Sequence, residues 1–257
     1  MNIDYVVIAS DDDETYLDFY NSVVKVWKNR MGLQTVFFHI TSGDVEDFAI
    51  IQTKFGLTIK IKNIYGWPTA LQSQAVRLLS SILFRDKNIL ISDIDMFPID
   101  KKYFINKAKP IKEDEVLLYT GAPYGDVPFY PMCYILGKGE TIADIIGFNN
   151  NEVLYDYSTG RVNMQHYEEY MQKLVDTYNG AWNTDENFFY DQVQKYHSPK
   201  KIKIGKRNFG QEKRLDRGGP FDVTQSFTGL VDAHSIRPYK THKEKIDRLV
   251  KRLLYEK

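Results

Sequence analysis

Apolar strand-like runs alternate with helical patterns along the first hundred residues. The run YVVIA at 5–9 is wholly apolar and rich in β-branched residues, as expected for a strand covered on both faces. Further strands are predicted at 35–40, 57–64 and 88–92. Helices are predicted at 16–29, 44–55 and 69–84. This alternation predicts an α/β fold with a mixed, mainly parallel sheet flanked by helices.

The second part of the chain has a different character. Strands are predicted at 116–120 and 131–136, and helices at 139–147, 162–178, from 184 onward and at 240–257. The loops 121–130 and 148–161 have no helical or strand pattern, and we expect them to set the specificity of the site. The length of 257 residues suits a single domain with two halves, about 1–100 and 101–257, that share one core.

Composition narrows the class of protein. The 34 Lys and Arg residues balance 34 Asp and Glu residues, which argues against a dedicated nucleic-acid binder. The single Cys133 rules out an internal disulfide and fits a reducing compartment. No uncharged apolar run approaches the roughly 20 residues of a transmembrane helix, and the N-terminus lacks the pattern of a signal peptide. We therefore expect a complete cytoplasmic chain.

Two aspartates, Asp93 and Asp95, directly follow the strand predicted at 88–92. Residues two apart in a strand face the same side, so both carboxylates could address one ligand. Ligands of open α/β sheets bind beyond the carboxyl ends of the strands, and paired carboxylates suit Mg²⁺ or Mn²⁺ bridging phosphate oxygens. The pair therefore predicts a metal-diphosphate site. The alternative is two acids at a solvated strand end.

The stretch QSQAVRLLSSILFRDKNILISDIDMFPI at 72–99 resembles the nucleotide-sugar half of GT-A glycosyltransferases, in which an Arg-bearing helix precedes a strand that ends in a DxD motif. The resemblance covers about residues 3–100 and is thinner beyond them. It implies a GT-A, Rossmann-like fold. It also implies that Asp93 contacts the ribose and the metal, that Asp95 ligates the metal, and that Arg77 holds the donor or the DxD loop. Arg77 could instead be an ordinary surface arginine.

The same resemblance assigns further donor contacts. Ala9, Ser10 and Asp11 follow the first strand and match the usual position of the nucleotide base and ribose. The alternative for the acidic run at 11–13 is a solvated helix start that the helix dipole favours. The basic segment at 200–217 matches loops that close over the donor diphosphate, with Arg214 or Arg217 neutralising the leaving group. Its alternative is an ordinary solvated loop.

Two later motifs complete the predicted site. Asp185 and Glu186 stand in NTDENFF at a helix start, where a GT-A enzyme places a carboxylate beside the acceptor hydroxyl. We favour Glu186 as the general base of an inverting transfer and Asp185 as an acceptor ligand, with the reverse order open. His234 is the candidate third metal ligand, and Asp232 could orient its imidazole. The alternative for Asp185 and Glu186 is an acidic first turn that stabilises the helix. The alternative for His234 is a structural histidine.

The sequence therefore predicts a glycosyltransferase, a hexosyl- or pentosyltransferase dependent on Mn²⁺ or Mg²⁺. It would move a sugar from a nucleoside-diphosphate donor, with a UDP-sugar favoured, to a hydroxyl of a glycan or glycoconjugate. The alternatives are a sugar-nucleotide nucleotidyltransferase and a catalytically inactive GT-A-like binding domain. The basic terminal helix could contact an anionic membrane near a lipid-linked acceptor, although its apolar stripe is better suited to docking on the core.

Overall fold

The structure is a computed structural model that describes residues 1–121, 128–148, 155–156, 161–162, 164–196, 201–205 and 211–255. The strands are β1 Tyr5–Ser10, β2 Gln34–Thr41, β3 Phe48–Thr53, β4 Gly56–Lys62, β5 Asn88–Ile91, β6 Met96–Pro98, β7 Val116–Leu118, β8 Ile135–Lys138, β9 Tyr155–Asp156, β10 Arg161–Val162, β11 Ile202–Ile204, β12 Lys213–Asp216 and β13 Leu230–His234. The helices are α1 Glu14–Leu17, α2 Tyr20–Val26, α3 Thr69–Leu83, α4 Lys101–Ala108, α5 Gly139–Ile145, α6 Met164–Tyr178, α7 Thr184–Lys195 and α8 Lys243–Tyr255. A π-helical turn at Trp27–Met31 continues α2, and a 3₁₀ turn at Lys240–His242 precedes α8.

An eight-stranded mixed sheet forms the centre of the molecule, in the order β11-β7-β8-β5-β1-β2-β4-β3. The inner strands β5, β1, β2 and β4 are parallel, whereas β8 is antiparallel to β5 and to β7, and β3 is antiparallel to β4. This confirms the predicted mixed α/β architecture. Strands from both predicted halves join this one sheet, and the division into two halves stays a prediction.

Helices cover both faces of the sheet because the inner strands are apolar on both sides. Along β1, Val6 and Ile8 lie in one buried cluster, and Val7 and Ala9 lie in the other. The alternation of side chains along a strand explains why this run contains no polar residue. Residues of α3, α5, α6 and α7 pack in the cluster of Val7, and residues of α2, α4 and α8 pack in the cluster of Val6.

The terminal helix α8 docks on the core. Its apolar stripe of Ile246, Leu249 and Leu253 is buried in the cluster of Val6. The stripe is therefore covered by the protein itself, as the docking interpretation of the sequence predicted. In the described part of the chain, no helix combines the length and the apolar character needed to cross a membrane.

The helix predicted at 44–55 is wrong. Its centre is β3, which forms a hairpin with β4 through a two-residue turn at 54–55. The contiguous apolar residues of FAII fit a strand as well as a helix, and pairing with β4 decides between them. Gly56 begins β4 at φ +145°, where a Cβ would lie 1.9 Å from the carbonyl oxygen of Thr35, so only glycine fits this close approach.

Two other predicted elements have different bounds. The helix predicted at 16–29 is divided into α1 and α2, which end in the π-helical turn. The strand predicted at 131–136 begins only at Ile135, because Tyr134 has φ +72°, in the left-handed region and outside the β conformation. The specificity loops predicted at 121–130 and 148–161 lie partly outside the described residues.

Candidate active site

A cleft of about 320 Å³ opens beyond the carboxyl ends of β1 and β5. Of the residues that the sequence predicts for the site, eleven line this cleft, although they come from distant parts of the chain. They are Ala9, Ser10, Asp11, Arg77, Asp93, Asp95, Asp185, Glu186, Arg214, Arg217 and His234. The cleft lies where open α/β sheets bind ligands. The structure thus brings the predicted residues together, whereas their individual roles stay predictions.

Asp93 and Asp95 lie in the connection 92–95 between β5 and β6, which we call the DxD turn. The strand ends at Ile91, so the argument that both carboxylates share one face of a strand is wrong. Both side chains still line the cleft, because the chain turns back into β6 directly after Asp95. The Asp93 side chain is 32% exposed, whereas that of Asp95 is almost fully buried.

Arg77 connects the DxD turn to helix α7. It is buried on α3, and its Nη1 donates to Oδ1 of Asp93 while its Nη2 donates to Oδ2 of Asp185 at 2.7 Å. Burial disfavours the ionised form of Asp93, but Arg77 outweighs it and lowers the pKa of this carboxyl. At Asp185, burial dominates over Arg77 and raises the pKa. One guanidinium therefore fixes a predicted donor ligand and a predicted acceptor ligand relative to each other.

Three cationic side chains surround Asp95. Its Oδ2 lies 2.9 Å from Nη1 of Arg217, 3.5 Å from Nε2 of His234 and 3.5 Å from Nε of Arg237. A small sheet positions these groups, because β13 pairs His234 with Met96 of β6, and β12 pairs Asp216 with His234. Met96, His234 and Asp216 therefore lie side by side on three neighbouring strands. This arrangement brings Asp95, His234 and Arg217 together, because Asp95 precedes Met96 and Arg217 follows Asp216.

His234 lies between two carboxylates. Its Nδ1 is 3.9 Å from Oδ2 of Asp216, and its Nε2 faces Asp95. Burial disfavours the imidazolium, but the neighbouring carboxylates of Asp216 and Asp95 outweigh it and raise the pKa of His234 to about 9. Asp216, which the sequence did not single out, is thus the residue on Nδ1. The expectation that Asp232 orients the imidazole is wrong.

Asp232 instead belongs to a buried ion pair with Arg214. The guanidinium of Arg214 donates from Nε and Nη2 to the two carboxylate oxygens at 2.8 and 2.7 Å. This bidentate geometry is the strong form of an arginine–carboxylate contact, and it holds β12 against β13. Both arginines predicted to face the leaving group line the cleft. Arg217 is the better placed of the two, because it lies beside Asp95 whereas the guanidinium of Arg214 is bound by Asp232.

Glu186 lies in the first turn of α7, next to Asp185. Burial, together with the charges of Asp185 and Asp93, raises the pKa of Glu186 to about 7. A carboxyl group with a pKa near neutrality can both hold and release a proton under physiological conditions. Asp185 is held by Arg77, and this contact makes Glu186 the better candidate base of the two.

At the end of β1, Asp11 connects the strand to the start of α3. Its Oδ2 accepts a hydrogen bond from Oγ1 of Thr69 at 2.7 Å, and its Oδ1 accepts one from the backbone N–H of Asp13 at 3.1 Å. The side chain of Asp13 caps α1 by accepting from the N–H of Thr15. The helix-start interpretation thus holds for Asp13, while Asp11 is nearly buried at the wall of the cleft.

Arg237, Tyr16 and Trp182 line the cleft, and sequence reasoning did not single them out. Arg237 faces Asp95 and lies over the ring of Tyr16 at 4.7 Å, and Trp182 packs beside Tyr16 with ring centroids 6.0 Å apart. Trp182 is 63% exposed although it is the largest type of apolar side chain. In the sequence, the available signal was a tryptophan four residues before a candidate base. Arg237 and Tyr16 carried no such signal, because their contacts depend on the fold.

The donor set for a divalent cation fits in part. Asp95 and His234 converge, and an imidazole nitrogen with carboxylate oxygens suits Mn²⁺. Asp93 is turned toward Arg77, and a cation at Asp95 would have to replace its contacts with Arg217 and Arg237. Among the described residues, no three His, Cys, Asp or Glu side chains are grouped closely enough to hold a metal ion.

Comparisons with known proteins identify the class of fold. No protein-family model matches the chain, and no curated protein matches it either. The matching solved structures include those of the glycosyltransferase GlyE from Streptococcus pneumoniae TIGR4. The apo form has a TM-score of 0.52 at 11% identity, and a second GlyE structure has a TM-score of 0.53 at 12% identity. The match covers 99% of this chain and 63% of each GlyE chain. The chain therefore shares the fold of these glycosyltransferase structures and spans less than two thirds of their length.

Proposed function

We propose that the protein is a glycosyltransferase of the GT-A type that moves a sugar from a nucleoside-diphosphate donor to a hydroxyl of a carbohydrate acceptor. The observation that carries the proposal is the convergence of eleven predicted residues on one cleft, in a fold shared with a glycosyltransferase. The donor is a nucleotide sugar, with a UDP-sugar favoured. The acceptor hydroxyl belongs to a glycan or glycoconjugate.

The donor would lie between β1 and the DxD turn. Ala9, Ser10 and Asp11 form the wall at the end of β1 and are proposed to contact the nucleoside. Asp93, Asp95 and His234 would hold Mn²⁺ or Mg²⁺, which, when bound, neutralises the charge of the donor diphosphate. Arg217, beside Asp95, is proposed to stabilise the negative charge that develops on the leaving diphosphate.

Glu186 is proposed to act at the reacting centre. In an inverting transfer, its carboxylate takes the proton of the acceptor hydroxyl as the oxygen bonds to the anomeric carbon and the bond to the diphosphate breaks. In a retaining transfer, the same carboxylate would stabilise positive charge at the anomeric carbon. Both roles require the ionised form. Asp185, oriented by Arg77, would bind the acceptor or position Glu186.

The test is a screen of nucleotide sugars for binding and for hydrolysis, in the presence of Mn²⁺ and in EDTA. We expect one nucleoside-diphosphate sugar to raise the melting temperature when Mn²⁺ is present and to be slowly hydrolysed. Release of pyrophosphate from a nucleoside triphosphate would instead support a nucleotidyltransferase. Binding of a nucleotide sugar without turnover on any acceptor would support a non-catalytic binding domain.

A further inference from the structure

The connection 11–13 joins β1 to α1 and consists of three aspartates. Its first and last residues both line the cleft, where Asp11 contacts the start of α3 and Asp13 caps α1. Asp12, between them, is not part of the cleft lining. Its carboxylate therefore has neither the position of a cleft ligand nor the role of a helix cap.

Asp12 binds the end of β2. Its Oδ1 lies 2.8 Å from Nε2 of His39. Its Oδ2 accepts hydrogen bonds from Oγ1 of Thr41 at 3.1 Å and from the backbone N–H of Ser42 at 2.8 Å. Burial raises the pKa of Asp12, but these contacts outweigh it and lower the pKa, so the side chain is ionised at neutral pH. Ionised acceptors form the stronger hydrogen bonds, and this carboxylate binds three groups at the end of β2.

The connection 11–13 is therefore held from two sides. Asp12 ties it to β2, the parallel neighbour of β1, and Asp11 ties it to Thr69 of α3. The same stretch of backbone forms the wall at the end of β1 that is proposed to contact the nucleoside. A binding wall that is already ordered loses less conformational entropy when its ligand arrives.

We propose that Asp12 is a positioning residue for the nucleotide sugar. Without contacting the donor, it binds the end of β2 and thereby preorganises the nucleoside wall formed by residues 9–11. The inference rests on the proposed function. It predicts that donor affinity depends on the three hydrogen bonds of Asp12 and not on its negative charge. The charge by itself would weaken binding, because it repels the diphosphate.

The test compares D12A with D12N, since both variants remove the charge. D12A removes all three contacts. D12N keeps their geometry, because its amide oxygen accepts from Thr41 and Ser42 and its amide nitrogen donates to the His39 tautomer whose Nε2 is unprotonated. Calorimetry in Mn²⁺, with the nucleotide sugar identified in the screen, should show a Kd raised about tenfold for D12A and within about threefold of wild type for D12N. D44A, which removes an exposed acid after β2, is the control and should leave the Kd unchanged.

Two further measurements separate positioning from a general loss of structure. D12A should keep the wild-type kcat and the wild-type KM for the acceptor, so that only the donor term changes. Hydrogen exchange at the backbone N–H groups of 11–13 and Ser42 should be faster in D12A than in wild type and D12N. The exchange measurement needs no nucleotide.

The proposal is overturned if D12A binds the donor like wild type, or if D12A and D12N change the Kd equally. Equal weakening would make Asp12 a direct ligand of the donor, and equal tightening would leave it only the effect of its charge. Unchanged hydrogen exchange in D12A would also contradict the proposal. A wild type that binds no nucleotide sugar would instead overturn the proposed function, and this inference with it.

Discussion

Arg77 donates from Nη2 to Oδ2 of Asp185 over 2.7 Å, although 108 residues separate the two along the chain. The same guanidinium contacts Asp93 of the DxD turn. Arg77 therefore joins the part of the cleft that follows β5 to the part at the start of α7. The candidate base Glu186 is adjacent to Asp185, so this contact also sets the position of the proposed catalytic carboxylate.

Replacing Arg77 with methionine should destabilise the protein by about 3 kcal/mol, because the change leaves Asp185 buried without its cationic partner. Chemical denaturation measures this loss. The double variant R77M/D185N should recover part of it, since the neutral amide costs less to bury. R248A removes an exposed arginine of α8 and serves as the control. Wild-type stability of R77M would contradict the importance of the contact.

Glu186 should give the protein a distinct dependence of stability on pH. Its pKa is about 7 in the folded state, against the ordinary value of 4.5, so the folded state retains a proton that the unfolded state releases. The protonated Glu186 side chain contributes fully to the stability of the folded state below pH 4.5, and this contribution is lost as the pH rises through 7. The glutamine of E186Q does not titrate. Between pH 4.5 and pH 7, the free energy of unfolding of E186Q should therefore rise by about 2 kcal/mol relative to that of wild type. A constant difference between the two proteins would contradict the raised pKa.

The same pKa predicts the pH profile of sugar transfer. Both proposed roles of Glu186 require the carboxylate, so the rate of transfer should fall as the pH drops below 7. Binding of the nucleotide sugar should not show this decline. E186Q should bind the donor and lose transfer by at least about a hundredfold. Normal turnover by both E186Q and D185N would show that neither residue is the base.

Removing Arg217 should slow transfer rather than abolish folding. Its side chain is a third exposed at the cleft, and its proposed partner is charge that develops on the leaving diphosphate. R217A should lower kcat about a hundredfold with a smaller change in KM for the donor. K213A, which removes an exposed lysine of β12, should leave both constants unchanged. If R217A and K213A had equal effects on kcat, Arg217 would act only through its general positive charge and would have no specific role at the leaving diphosphate.

Trp182 should contribute to binding of the acceptor. Its exposed ring lies at the cleft near Glu186, where it offers an apolar surface to a sugar. W182A should raise KM for the acceptor about tenfold and leave donor hydrolysis unchanged. Y65A removes an aromatic ring that is fully exposed and is not part of the cleft lining, and it should have no effect. An unchanged acceptor KM in W182A would place the acceptor elsewhere.

Short-range patterns predicted most strands of the sheet and many of the residues that line the cleft. The apolar β1 and the DxD motif are local in sequence, and so is the acidic start of α7. The partners of these residues are not local. Asp216 reaches His234 only because β12 and β13 are neighbours. The strand β3 was mistaken for a helix for a related reason, because its pairing with β4 is a tertiary choice that an apolar run does not encode.

The most direct test of the account is donor binding by D95A, measured by calorimetry with the nucleotide sugar identified in the screen, in Mn²⁺ and in EDTA. Asp95 lies at the centre of the cationic cluster and beside His234, the second proposed ligand. The account predicts that wild type binds the donor more tightly in Mn²⁺ than in EDTA and that D95A loses this difference, while D216N keeps it in part. Metal-dependent binding that D95A retains in full would contradict the central claim.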